Sequence, residues 1–259
     1  MSKAQMLFET GAATHIGKVR SRNEDNYLTR PEAGIWAVAD GMGGHEDGDL
    51  ASRTVIEALK SIHAPTSADE LLSLCEERIF DANSHLKELG RQRGGIIIGT
   101  TVAVLLAIDG YFACVWSGDS RMYLIREGRI SQISRDHTEV QDLLMTGVIT
   151  PEQAETWSGS NVITRAIGVI DSPELEVTSG SLNAGDVFVM CTDGLTQHVE
   201  DDEILRCVGA NMSQQACDRL IQLTLERGAV DNVTVIVARY IPESALHLDV
   251  DASPRVIPG

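Results

Sequence analysis

Between residues 96 and 133 the chain passes through four short β-rich runs, 96–108, 112–117, 122–126 and 129–133. They are joined by turns built on Asp109-Gly110, Gly118-Asp119 and Glu127-Gly128. A parallel crossover needs about a dozen residues or more, so turns this close demand antiparallel pairing. Helical periodicity flanks the strands. Leu50, Val55, Leu59 and Ile62 mark a helix over 49–62. A second begins at Ser67, where Ser67 and Glu70 form a capping box, and ends near Gly90 with Leu71, Cys75, Ile79 and Leu86 in its stripe. Residues 35–39 alternate as a buried strand ending at Asp40, and strand character returns at 187–191 and 233–240. Residues 136–170 break into short helical pieces, one starting at Thr150-Pro151, and a last helix runs from about Ser213 to Gly228. Helices around two blocks of antiparallel strands predict an α+β fold, a four-layer α-β-β-α sandwich of two antiparallel sheets. One domain is expected over 1–240, followed by a loose tail over 241–259, where periodicity is lost.

Charge narrows the function. With 21 Lys and Arg against 38 Asp and Glu, the formal net charge is −17. That balance excludes general binding to nucleic acid or to an anionic membrane, both of which need clustered cations. The longest apolar run, 96–108, is broken by Gly99, Thr100 and Thr101 and is too short to span a bilayer. The N-terminus lacks a charged-then-apolar export signal, so a cytoplasmic protein is expected. Five widely spaced cysteines without a C-x-x-C read as buried free thiols rather than a disulfide framework or zinc site. No G-x-G-x-x-G follows a strand, which leaves a dinucleotide fold without support.

The informative residues are aspartates. Asp40, Asp119, Asp193 and Asp231 each adjoin Gly or Asn, and three of them end an apolar run or sit in the turn after it. A carboxylate at a strand end is held rigidly while its head projects past the sheet. Several such heads converging without basic partners raise one another's pKa unless a cation sits among them. All-oxygen donors favour hard ions, Mg²⁺ or Mn²⁺ over Zn²⁺. Taken singly, each Asp-Gly or Gly-Asp is equally a plain turn, and RSRNED (20–25) alone is a solvated charge run.

Eight segments in order resemble the metal-dependent Ser/Thr protein phosphatases of type 2C, the PPM family, in their compact bacterial form. They are GKVRSRNEDNYL (17–28), WAVADGMGGHEDGDLAS (36–52), GTTVAVLL (99–106), WSGDSRMYLIREG (116–128), SRDHTEVQDLLMTGVITPEQA (134–154), NVITRAIG (161–168), DVFVMCTDGL (186–195) and DNVTVIVAR (231–239).

The resemblance implies a site built on two Mn²⁺ or Mg²⁺ ions. Asp40 would bridge them and the Gly41 carbonyl would bind one. Asp193 and Asp231 would complete one shell, while Glu24 and Asp25 would reach the second ion mainly through water. Asp119, with Asp193, would hold a third, weaker ion, and Arg20 would bind the phosphate as a planar donor fork. The implied reaction is hydrolysis of phosphoserine or phosphothreonine on proteins by direct attack of a hydroxide bridging the metals. The position two after Asp40, a proposed general-acid histidine in eukaryotic relatives, is Met42, which has no proton to give; a water on the third ion, or more distantly His45, would replace it. Ser158, Gly159, Ser160 and Asn161 fall in the family's flap, with substrate gating as the expected role. Partners implied are phosphorylated proteins and a Ser/Thr kinase or its target, with the chain acting as a monomer. Two alternatives share the fold: an inactive phosphoprotein-binding module and a hydrolase of small phosphate esters.

Overall fold

The computed structural model describes residues 7–43, 47–63, 65–154, 156–157 and 162–241. Ile241, expected to begin the tail, instead ends the last strand; the rest of the expected tail, His45 and the flap residues Ser158, Gly159, Ser160 and Asn161 lie outside the described residues.

The strands are β1 (Leu7–His15), β2 (Asp25–Arg30), β3 (Ile35–Met42), β4 (Gly99–Thr100), β5 (Val102–Ile108), β6 (Tyr111–Ser117), β7 (Arg121–Arg126), β8 (Arg129–Gln132), β9 (Glu176–Ser181), β10 (Val187–Cys191) and β11 (Val233–Ile241). The helices are α1 (Asp47–Lys60), α2 (Ala68–Gln92), α3 (Glu139–Met145), α4 (Pro151–Ala154), α5 (Asp193–Thr196), α6 (Asp201–Ala210) and α7 (Ser213–Glu226). One sheet has the order β1-β11-β10-β7-β8, and the other β2-β3-β5-β6-β9 with β4 paired to β3. Every pairing is antiparallel.

Alternation along the strands builds the layers. Ala37 and Ala39 of β3, Val104 and Leu106 of β5 and Val115 of β6 face outward and pack under α1 and α2 with Val55, Leu59, Leu71 and Ile79. On the other side Val189 and Cys191 of β10 and Val235 and Val237 of β11 meet Ile204, Val208, Cys217 and Leu220 of α6 and α7. The residues in between, Trp36, Val38, Ala103, Leu105, Cys114, Met122, Phe188, Met190 and Ile236, form the middle layer where the sheets meet. This is the expected four-layer sandwich. The cysteines are unpaired, and all but Cys207 are buried.

Local signals hold where they have a mechanism. Ser67 caps α2 by accepting from the Glu70 amide. Thr150 and Gln153 exchange reciprocal side-chain to backbone bonds at the start of α4. One expectation fails. Gly118-Asp119 joins no hairpin, because β6 and β7 belong to different sheets. Gly118 has φ +118°, and a Cβ there would lie 2.6 Å from the Thr101 side chain. Only glycine lets the chain turn so sharply over β4–β5 and cross between sheets. The crossing carries Asp119 to the rim of the middle layer.

Candidate metal centre

At one end of the sandwich five of the inward stripes stop on an oxygen. Trp36 and Val38 are followed at the same parity by Asp40, Phe188 and Met190 by Thr192, Ile236 by Thr234 on its other side, Met122 by Ser120, and Ala103 by Thr101. Apolar filling thus gives way to polar atoms where the two sheets open to solvent, and strand period 2 aims them all into the same gap.

Asp40 lies inside β3, opposite Asp25 of β2. Directly opposed residues on antiparallel strands have Cβ atoms about 4.5–5.5 Å apart, so two carboxylates are set side by side. Asp25 is buried, and its Oδ2 accepts from the Thr192 hydroxyl at 2.9 Å and the Thr234 hydroxyl at 2.7 Å. Burial still pushes the Asp25 carboxyl up to about 7, with Asp193 and Asp231 adding to the rise. Burial, followed by the charges of Asp25, Asp193, Asp119 and Asp231, holds Asp40 well above the ordinary carboxylate range. Burial and then Asp231 raise Asp193, whose Oδ2 accepts from Gln197 Nε2 at 2.7 Å. Asp119 is pushed up to about 7 by burial and then by Asp193. Glu24 is raised mainly by burial, opposed by Arg20. Arg20 donates to Asp231 Oδ2 at 2.6 Å from a half-exposed position.

The backbone around Asp40 is fixed. The Asp40 amide donates to Thr101 Oγ1 at 3.0 Å, and its carbonyl accepts from the Thr101 amide at 2.8 Å and the Thr100 hydroxyl at 2.9 Å. Gly41 is pinned harder: a Cβ there would fall 2.0 Å from the Gly48 carbonyl oxygen and 2.8 Å from that of Glu24. Backbone cannot yield as a side-chain tip can. Gly41→Ala is therefore expected to cost about 3 kcal/mol and lower Tm by roughly 6–12 °C in a chain of this size; thermal unfolding followed by circular dichroism checks it.

Asn232 organises the loop that carries Arg20 and Glu24. Its Oδ1 accepts from the Glu24 amide at 2.8 Å, while its Nδ2 donates to the carbonyls of Ile16 at 2.9 Å and Arg22 at 2.8 Å. Asn232, Thr192, Thr234 and Thr101 were not singled out from the sequence. Their signal is a polar residue at an inward parity in an otherwise apolar run, as in VMCTD and DNVTV. Arg121 and Arg165 are held in ion pairs, with Asp136 at 2.7 Å and with Glu176 at 2.9 Å.

All the sequence-predicted residues that fall within the described chain therefore meet at one rim: Asp40, Gly41, Asp25, Glu24, Asp119, Asp193, Asp231 and Arg20. Beside it a cleft of about 700 Å³ is lined by Arg20, Arg22, Glu24, Gly43, Asp47 and Arg93. As placed, no group of three or more His, Cys, Asp or Glu among the described residues is arranged to hold a metal ion. The donor set nevertheless fits one. Asp25 Oδ1, Asp119 Oδ1 and Asp193 Oδ1 are buried without a hydrogen-bond partner, and buried polar atoms are rarely left so. Hard, all-oxygen donors of like charge suit a divalent cation.

The comparisons with known proteins agree with this fold. The sequence profile of the family described as Protein phosphatase 2C matches residues 13–227. The serine/threonine protein phosphatase PstP of Mycobacterium tuberculosis is 35% identical over 244 residues; these make up 93% of this chain, which spans 46% of that relative's length. Among solved structures, PppA, a key regulatory component of T6SS in Pseudomonas aeruginosa, superposes with a TM-score of 0.85 at 35% identity, over 90% of this chain and 98% of that one. The catalytic domain of PstP in complex with 2 manganese ions gives 0.82 at 34% identity, over 91% and 99%. A sandwich whose inward stripes end on polar atoms beside a rim of carboxylates, matched over most of its length by that profile, places the chain in the protein phosphatase 2C family.

Proposed function

We propose that the chain is a metal-dependent protein phosphatase that hydrolyses phosphoserine and phosphothreonine on proteins, opposing a Ser/Thr kinase. The observation that carries this reading is the rim of mutually repelling carboxylates with three unpartnered buried oxygens. The manganese ions bound by the PstP catalytic domain support the same reading for this chain. Asp40, Asp193 and Asp231 would hold one ion, and Asp40 and the Gly41 carbonyl, with Glu24 and Asp25 behind them, a second. Divalent cations in such a site supply an acidified water nucleophile and stabilise charge on phosphoryl oxygens.

The chain's own residues do the rest. The Arg20 guanidinium is half-exposed beside the cleft. Released from Asp231, it can present two donors to two phosphate oxygens, orient the phosphorus and neutralise charge that builds on them. Thr192 and Thr234 keep one Asp25 oxygen turned inward. Met42 carries no titratable proton, so that position supplies no acid for the leaving alkoxide. Asp119 and Asp193 would hold a weaker third cation, which would supply an acidified water as the proton source. Asp119→Ala is accordingly expected to lower kcat at least tenfold at saturating Mn²⁺; unchanged turnover there would sink the assignment. Helices are uninformative about location beyond one fact: among the described residues none is long and apolar enough to cross a membrane.

The test is phosphate release from a phosphothreonine peptide with Mn²⁺, with and without EDTA. Mn²⁺-dependent release that EDTA abolishes is the expected result. Binding of the peptide without release would identify an inactive binding module instead, and release from small esters alone would identify a small-ester hydrolase.

A further inference from the structure

His137 is fully buried and uses every polar atom it has. Its backbone amide donates to the Gly118 carbonyl at 3.0 Å, and its carbonyl accepts from the Thr164 amide at 2.8 Å. Its Nδ1 accepts from the Gly118 amide at 3.1 Å. That bond fixes the tautomer, because the proton must then sit on Nε2, which faces Glu176 Oε1 at 3.3 Å. Glu176 in turn gathers Arg135 and Arg165. The ring stacks on Trp116, centroids 6.0 Å apart and planes at 17°. Burial and then Arg165 lower the His137 pKa, which keeps the ring neutral and its Nδ1 an acceptor.

One imidazole thus joins two parts of the chain. On one side is the glycine turn between the sheets that carries Asp119. On the other is the base of the excursion 136–170, where Thr138 bridges Ile163 and Ile167 bridges Thr100. We propose that His137 is a positioning residue for Asp119, bolting the Gly118-Asp119 turn to the base of the excursion so that the two are set together. The inference rests on the role given to Asp119 above, and goes beyond it by naming what holds that carboxylate in place.

Two amide substitutions separate positioning from simple packing. Asparagine places its oxygen near Nδ1 and can still accept from the Gly118 amide. Glutamine, one methylene longer, reaches the Nε2 position and leaves that amide without an acceptor. Hydrogen exchange of metal-free protein reads the turn without reference to turnover. His137→Gln is expected to speed exchange over residues 117–120 at least tenfold and to raise the half-saturating Mn²⁺ for phosphopeptide hydrolysis at least fivefold. His137→Asn should stay within about threefold of the parent in exchange, an estimate set by keeping the bond to a buried amide. Equal exchange in the two variants, whether both fast or both slow, overturns the proposal. Fast exchange in His137→Gln alone, with unchanged Mn²⁺ dependence, upholds the positioning and instead counts against the role of Asp119. Glutamine misfolding while asparagine folds leaves the parent comparison to decide: exchange in His137→Asn more than tenfold above the parent overturns the proposal, and parent-like exchange upholds it.

Discussion

Asp40→Asn is expected to abolish hydrolysis and stabilise the protein at the same time. Asp40 sits opposite Asp25 and among Asp193, Asp119 and Asp231, and burial with those charges holds its carboxyl well above the ordinary range. At pH 8 without metal the substitution removes a buried like charge. A gain of about 2 kcal/mol, or roughly 4–8 °C in Tm, follows. At pH 5, where more of the native carboxyl is protonated than at pH 8, the gain should shrink. With Mn²⁺ present the same change deletes the ligand proposed to bridge the ions, and kcat should fall by roughly 10³-fold or more, a loss of about 4 kcal/mol in transition-state stabilisation. Melting curves in EDTA at the two pH values, beside turnover in Mn²⁺, check both halves. A variant that loses activity and stability together would mean that Asp40 supports the fold rather than a cation.

The second large effect is on pH. Asp25 and Asp119 titrate near 7 in the folded chain, against 3.8 as their ordinary value. Between these limits the native state binds more protons than the unfolded state, so stability falls as pH rises. It is highest below about pH 4 as far as these groups are concerned, declines through the interval, and the decline is complete above about pH 7. One carboxyl moved that far carries on the order of 4 kcal/mol, less where neighbours titrate together. Carboxylates held low by cations, such as Glu176 beside Arg135, act in the opposite sense and at lower pH. Metal-free protein should therefore lose denaturant stability from pH 4 to 7. Saturating Mn²⁺ should reverse the loss above pH 7, adding about 4 kcal/mol at a thousandfold excess over Kd. Urea unfolding across that range, with and without Mn²⁺, reads it directly; a flat profile without metal would contradict the electrostatics of the rim.

How much of this was legible in the residues differs by element. Strands buried on both faces, such as Val187–Cys191, announce themselves as apolar runs between turns. β1 does not: its sequence LFETGAATH mixes glycine and polar residues because it is a sheet edge, bonded among the described residues only to β11. The site's carboxylates were legible through the segments that resemble the family, yet their strand context was not. Asp40 reads as a strand end but lies within β3, because Gly41 and Met42 continue the pairing with β4. Gly118-Asp119 has hairpin chemistry, and only the close pack of Thr101 against Gly118 shows why the chain changes sheets there. The threonines that hold Asp25 come from β11 and the residue after β10, far away in sequence, and no local pattern ties them to it.

The central claim is that the carboxylate rim is a divalent-metal centre, and a calorimetric titration of Mn²⁺ into metal-free protein at pH 6.5 and pH 8, in buffers of different ionisation enthalpy, tests it most directly. About two Mn²⁺ are expected to bind per chain, with protons released on binding and more of them at pH 6.5, because raised carboxyls must give up their protons to bind metal; Asp40→Asn should lose most of that binding. No binding, or binding without proton release that Asp40→Asn leaves intact, would contradict it.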